Sequence, residues 1–248
     1  MDYLRATLGI CRVNYPDFFG KIKDFPYQFT KSKRGMKVLE VGCGWGRATI
    51  GPAKEGAESF GVDISASSIS LAKRYAQNKK CYVNLVVACA ELLPFKEETF
   101  EAVHSWFVLQ HMSKHNAIRA INEVRRVLKK GGKFHVQLPN KFGTDELVDG
   151  FVYLFKRYML KRDLSPINAV SFVKFCTLPE IRILFKEFHS IRVRGLEYRP
   201  PKYLFPFIPR KVLGPIRKLS DFFEKLSNSQ LPILKNILCT DFIVIAKK

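Results

Sequence analysis

Val38-Leu39-Glu40-Val41-Gly42-Cys43-Gly44-Trp45-Gly46-Arg47 is the stretch that decides the fold. An apolar run that reads as a buried strand enters a Gly-x-Gly-x-Gly turn, which is expected to open a helix. Seventeen residues after Gly46 stands Asp63, closing a second strand-like run, Ser59-Phe60-Gly61-Val62. The glycines let the backbone approach a ligand that a Cβ would strike. A helix start offers unpaired N–H groups to an anionic group. A carboxylate after the second strand accepts hydrogen bonds from ribose hydroxyls. Together these features read as a site for a nucleoside-bearing cofactor.

The dinucleotide fingerprint Gly-x-Gly-x-x-Gly fits poorly, because its third glycine would fall on Arg47. Glu40, two residues before Gly42, would repel a pyrophosphate and suits an ammonium group. S-adenosylmethionine (SAM) carries an ammonium, a carboxylate and a sulfonium, and no phosphate. On these residues the chain resembles the class I SAM-dependent methyltransferases, whose first motif is (D/E)-x-G-x-G-x-G, with Glu40, Gly42, Gly44 and Gly46 in those places.

The resemblance runs from residue 36 to residue 140. Gly61-Val62-Asp63-Ile64-Ser65 resembles the family's second-strand motif, in which the acid holds the ribose and the next apolar residue packs on adenine. Ala88-Cys89-Ala90-Glu91-Leu92-Leu93-Pro94-Phe95 resembles the third motif, G-D-A-E-x-L-P-F. Phe100 to His111 resembles the fourth strand and its exit loop, and Glu123 to Gly132 the helix and turn before the fifth strand. The resemblance implies a cofactor site made by Glu40, Gly42, Cys43, Gly44, Gly46, Asp63, Ile64, Ala90, Glu91 and Ser105, with SAM as cofactor. One position departs from the pattern. Cys89 stands where the family has Asp, and a thiol is a poor acceptor beside a carboxylate. Adenine recognition is then expected to rest on Ile64 and the backbone around Ala90.

The expected architecture is α/β: a Rossmann-like, seven-stranded, mostly parallel sheet with helices on both faces and an antiparallel last strand. Its 248 residues suit one domain. Residues 1–34 are expected to form an N-terminal cap segment, 35–140 the cofactor-binding core, and 141–248 a substrate-side region with an insertion at 199–238. Strand and helix patterns alternate through the centre, as βαβ units require. Ser113 is placed to cap a helix whose apolar positions run Ala117, Ile118, Ile121, Val124, Val127 and Leu128, with Gly131 as its stop and Lys133–Leu138 as the fifth strand. Residues 147–160 are apolar and aromatic and read as a helix near the substrate opening. Thr177-Leu178-Pro179-Glu180 is a capping box that starts a helix reaching about Phe188. Ser190–Tyr198 and Asp241–Ala246 read as the sixth and seventh strands, which the family pairs antiparallel.

Between those strands the chain is rich in Pro, aromatic and basic residues, far longer than a hairpin loop. Ile216, Leu219, Phe222, Phe223 and Leu226 give an amphipathic helix with Arg217, Lys218 and Lys225 on its polar side. Such a helix suits a lid over the core, or peripheral contact with an anionic membrane. The formal charge of +20 comes from 42 Lys and Arg against 22 Asp and Glu, split evenly between residues 1–140 and 141–248. A basic chain meets RNA, anionic lipid or an anionic substrate, or simply has a solvated basic surface. The six cysteines show no C-x-x-C spacing, so a reduced, cytoplasmic setting is expected, and no His/Cys cluster predicts a metal. No signal peptide or run of membrane-spanning length is read in the sequence.

The sulfonium makes the methyl group electrophilic, so the protein's task is to align a nucleophile with the S–CH₃ bond. A base is needed where the acceptor is protonated. His111, after the fourth strand, is the candidate catalytic base. His104 and His135 read as core residues, and His115 and His189 as surface residues. The fourth-strand exit, His104-Ser105-Trp106-Phe107, lacks the (D/N/S)-P-P-(Y/F) motif of amino-methyltransferases. The Phe- and Leu-rich segments around 142–160 and 199–226 suggest a small apolar or amphiphilic acceptor: quinone-, lipid- or glycolipid-like. Two alternatives stay open. One is an RNA or protein methyltransferase that uses the basic surface, nucleic acid being the less favoured partner. The other is a SAM-binding protein without transferase activity.

Overall fold

Strand β1 (Lys37–Val41) buries Val38, Leu39 and Val41 completely, the signature of a central strand covered on both faces. The computed structural model of the chain describes residues 32–141, 176–196, 239 and 241–248. After β1 come α1 (Ile50–Lys54), β2 (Glu58–Asp63), α2 (Ala66–Asn78), β3 (Asn84–Val87) and β4 (Phe100–Ser105). A 3-10 turn (Leu109–His111), α3 (Lys114–Val127), β5 (Leu128–Pro139), α4 (Leu178–Leu184), β6 (Ser190–Leu196) and β7 (Asp241–Lys247) follow.

The seven strands form one sheet in the order β3-β2-β1-β4-β5-β7-β6. β1 to β5 run parallel, and β7 lies antiparallel between β5 and β6. The order reverses at β1, so the loops leaving β1 and β4 open the crevice where such sheets bind ligands.

The main core lies on one face of the sheet. Leu39, Val103, Phe134 and Val136 meet Ile121, Val124 and Val127 of α3 and Ile181 and Phe185 at α4. Ser113 caps α3, its hydroxyl accepting the Asn116 N–H at 3.1 Å. Glu123 accepts the Leu93 N–H, and Arg126 donates to the Leu93 and Phe95 carbonyls, so α3 pins the loop that follows β3. α4 has the expected capping box, Thr177 with Glu180.

Several boundaries differ from the sequence reading. The helix after the glycine loop has only five residues and begins at Ile50, four past Gly46. The Ile50 N–H already donates to the Gly46 carbonyl, so no strong helix start faces the loop. α3 ends at Val127, not at Gly131, because Leu128 turns extended and pairs at once with Phe100. Gly131, at φ +77°, sits instead in a bulge within β5, where the register jumps from Phe100–Leu128 to Ala102–Lys133. α4 stops at Leu184, and Phe185 and Phe188 continue the core contact as a turn. The expected cap segment 1–34 (but for its last three residues), the helix at 147–160, and the insertion 199–238 with its amphipathic helix lie outside the described residues.

Candidate functional site

The glycine loop folds back on β2. The Gly42 and Cys43 N–H groups both donate to the Val62 carbonyl, at 2.8 and 2.9 Å, and the Gly46 N–H donates to the Cys43 carbonyl. Gly42, Gly44 and Gly46 all have positive φ, which side chains disfavour. Their surroundings separate their roles. A Cβ on Gly42 would lie 2.2 Å from Val108 Cγ2, and one on Gly46 would lie 3.0 Å from Ala72 Cβ. Both glycines therefore allow close packing of protein on protein. A Cβ on Gly44 would meet nothing within 4 Å among the described residues, so of these three glycines it is the one that faces open space.

Asp63 joins the loop to the second strand. Its Oδ2 accepts the Gly44 N–H and its Oδ1 the Ser65 N–H, each at 2.9 Å. A carboxylate has about four lone-pair sites, so both oxygens can still accept further donors. Ile64, the next residue, is 76% exposed, an apolar surface beside the acid.

Glu40 is buried and accepts a hydrogen bond from the Thr49 hydroxyl. Burial, with a smaller push from Asp63, raises its pKa to about 8. The carboxyl is thus largely protonated at neutral pH until a cation reaches it. Cys43 is buried, and burial with the neighbouring Glu40 and Asp63 drives its thiol upward, away from any nucleophilic role. Cys89 donates its S–H to Glu91 Oε2 at 2.6 Å, which holds the thiol up as well. Ala90, in the loop three residues past β3, and Ser105, the last residue of β4, are both buried. His111 ends the 3-10 turn and is exposed, and partial desolvation lowers its pKa, which favours the neutral imidazole.

Hydrogen bonds and packing bring Glu40, Gly42, Cys43, Gly44, Gly46 and Asp63 together, with Ile64 at their margin. His111 stays outside that hydrogen-bond network. Two further residues escaped the sequence reading. Thr49 anchors Glu40 from the turn beyond the loop, and Val108 fills the space beside Gly42. A hydroxyl shortly past the third glycine was the available signal for Thr49; nothing local marked Val108. No metal-binding group of His, Cys, Asp and Glu occurs among the described residues, and none of their helices is long and apolar enough to cross a membrane.

Residues 38–132 match the family model described as a methyltransferase domain. An uncharacterized methyltransferase of Synechocystis is 38% identical over 100 residues, which are 40% of this chain and 45% of that protein. A ubiquinone biosynthesis O-methyltransferase of Coxiella burnetii is 32% identical over 177 residues, 69% of this chain and 71% of its own length. A SAM-dependent methyltransferase from Archaeoglobus fulgidus shares the fold, with a TM-score of 0.58 over 92% of this chain and 94% of that one at 19% identity. The chain belongs to the SAM-dependent methyltransferases. It is an enzyme of that class, and SAM is its cofactor.

Proposed function

We propose that the chain transfers the SAM methyl group to an oxygen of a small apolar or amphiphilic acceptor, quinone-, lipid- or glycolipid-like. One observation carries this reading. Of the eight large apolar side chains exposed among the described residues, five stand where four parallel strands end: Trp45 after β1, Ile64 after β2, Val87 and Leu92 at and after β3, and Phe107 after β4, and with Ile64 given to the adenine the other four remain for an acceptor. Exposed apolar surface gathered at one edge marks a binding site. The name of the Coxiella relative, a ubiquinone biosynthesis O-methyltransferase, supports an oxygen acceptor of quinone-like kind.

In this reading Gly44 leaves room for the methionine end, Glu40 receives its ammonium, Asp63 accepts the ribose hydroxyls and Ile64 covers the adenine. Gly42 and Gly46 shape the loop, while Cys43, Ala90, Glu91 and Ser105 line it. His111, neutral at working pH, takes the acceptor's proton. The bound cofactor supplies an activated methyl group, and the protein supplies alignment.

The lysines at the other end of the sheet bear on the nucleic-acid alternative. Lys37, Lys129, Lys130, Lys133, Lys247 and Lys248 lie where β1 and β5 begin and β7 ends, opposite the glycine loop. A phosphate backbone held there would sit far from the methyl donor. Incubating the enzyme and radiolabelled SAM with a cell extract, then separating lipid, small-molecule, RNA and protein pools, tests the proposal. Label in the lipid or small-molecule pool supports it, and label confined to RNA or protein overturns it.

A further inference from the structure

Glu40, His104 and His135 are register partners on three neighbouring strands, β1, β4 and β5. Partners in register project to the same face. Gln137 follows His135 on that face and pairs with Ile243 of β7. Trp106 and Ile243 pack together with Ala48, and the His104 ring lies 6.3 Å from the Trp106 ring. This face is the one opposite α3, since the alternate residues Val103, Phe134 and Val136 join the α3 core.

The row is polar where an apolar layer is expected. His104, His135 and Gln137 are 1%, 2% and 0% exposed. Both nitrogens of His104, Nδ1 of His135 and both polar atoms of Gln137 have no hydrogen-bond partner among the described residues. A buried polar atom left without a partner costs about 1–3 kcal/mol. A cluster of such atoms in a domain held by roughly 5–15 kcal/mol calls for a partner from outside the fold. Elsewhere on the same rank the protein does satisfy its polar groups, as Thr49 does for Glu40.

The row is also uncharged. Burial lowers His104 to about 3 and His135 to about 4, so both imidazoles are neutral. A neutral row that offers both donors and acceptors suits neither a phosphate nor an ammonium. It suits a hydroxyl or carbonyl. We propose that His104, His135 and Gln137 bind the uncharged hydroxyl or carbonyl group of the methyl acceptor and so determine its specificity. The row starts one strand from the loop carboxylate Glu40 and runs toward the carboxyl end of β5, which places it beside the cofactor loop. These residues recognise the acceptor and move no proton.

The inference rests on the small-molecule reading above. The full chain, saturated with S-adenosylhomocysteine, is titrated by calorimetry with phenol and with toluene, which has the same size and lacks the hydroxyl. Phenol is expected to bind at least tenfold tighter than toluene. Gln137→Leu and His135→Leu should remove that tenfold preference, leave toluene and SAM affinity within about twofold, and melt no lower than the wild type. Gln137→His should restore part of the preference. Equal binding of phenol and toluene to the wild type overturns the proposal. So do variants that keep the preference and melt lower, since ordered water then fills the row. If a variant does not fold, the side-chain amide signals of Gln137 and the imidazole signals of His135 in the wild type decide: they must shift with phenol and not with toluene. Methyl label found only in RNA or protein would defeat the small-molecule reading itself. Label in small molecules with unchanged acceptor preference in the variants would defeat this inference alone.

Discussion

Asp63 reaches back from the end of β2 to accept the Gly44 N–H at 2.9 Å, and with its other oxygen accepts the Ser65 N–H at 2.9 Å. The acid expected to hold the ribose also sets the glycine loop and the entry to α2. Asp63→Ala should therefore lower SAM affinity at least tenfold, since a hydrogen bond to a charged group is worth about 1.5–3 kcal/mol. Asp63→Asn, which keeps one acceptor oxygen, should fall between. Calorimetry with SAM checks both, and an unchanged affinity in a folded Asp63→Ala protein would show that the ribose is held elsewhere.

The three loop glycines should respond differently to substitution. Gly42→Ala drives a Cβ into Val108 and should lower the thermal midpoint sharply. Gly44→Val meets no atom of the described residues at its Cβ, so its folding cost should be the backbone penalty of about 1–2 kcal/mol. SAM binding should nevertheless disappear, because the side chain occupies the open space. Melting curves paired with binding isotherms separate the two cases.

Glu40, proposed to receive the cofactor's ammonium, is expected to tie cofactor binding to pH. Its pKa is raised from the ordinary 4.5 to about 8, so the folded state favours the protonated carboxyl. The stability this contributes is complete below about 4.5 and is lost as pH rises through about 8. Cofactor binding has the opposite sign, since an ammonium favours the ionised form. SAM affinity should rise between pH 5.5 and 7.5, with close to one proton released per cofactor bound. Glu40→Gln should abolish both slopes. Titrations in buffers of different ionisation enthalpy measure the proton count.

The sequence made the sheet legible because its strands announce themselves twice, by apolar runs and by the loops after them. Gly42, Gly44, Gly46 and Asp63 are legible as neighbours in the sequence itself, since their spacing encodes a βαβ crossing. Local signals failed where a distant partner decides. Gly131 reads as a helix stop, yet Leu128 pairs with Phe100 and takes the chain out of the helix three residues earlier. The histidines at 104 and 135 read as core residues, and only strand register shows them beside each other and beside Glu40. The difference between Gly42 and Gly44 is equally invisible in sequence, because Val108 lies 66 residues away.

His111 as base predicts a kinetic signature. His111→Gln should lower kcat by about 10²–10⁴ and leave SAM affinity within twofold. Its lowered pKa places the loss of the wild-type rate on the acid side of the ordinary histidine value. A variant with full kcat would assign proton removal to solvent or to the acceptor's own acidity.

Residues 199–238 are expected to control acceptor access and leave cofactor binding alone. Replacing them by a short turn should keep SAM affinity within a few-fold, provided the melting curve stays cooperative, while methyl transfer to the true acceptor collapses. If the basic amphipathic helix read at 216–226 meets a membrane, wild-type binding to vesicles should require anionic lipid and weaken with salt, each basic residue near the surface adding about 1 kcal/mol. A variant that loses SAM affinity while folded would refute this division of labour.

The position of β7 bears on how the chain is made. It is the last of these seven strands to emerge, yet it fills the slot between β5 and β6. Until residues 241–247 leave the ribosome, β5 lacks its outer neighbour and β6 has no place in the sheet. At about 5–20 residues per second, the stretch from the end of β6 to the end of β7 takes roughly 3–10 s to synthesise. Through that interval the nascent chain presents β5, with buried-type Phe134, Val136 and Leu138, as an open edge. Translation pauses within 197–240 would lengthen that exposure, so the chain's demand for chaperones should depend on codon speed in a segment remote from every cofactor motif.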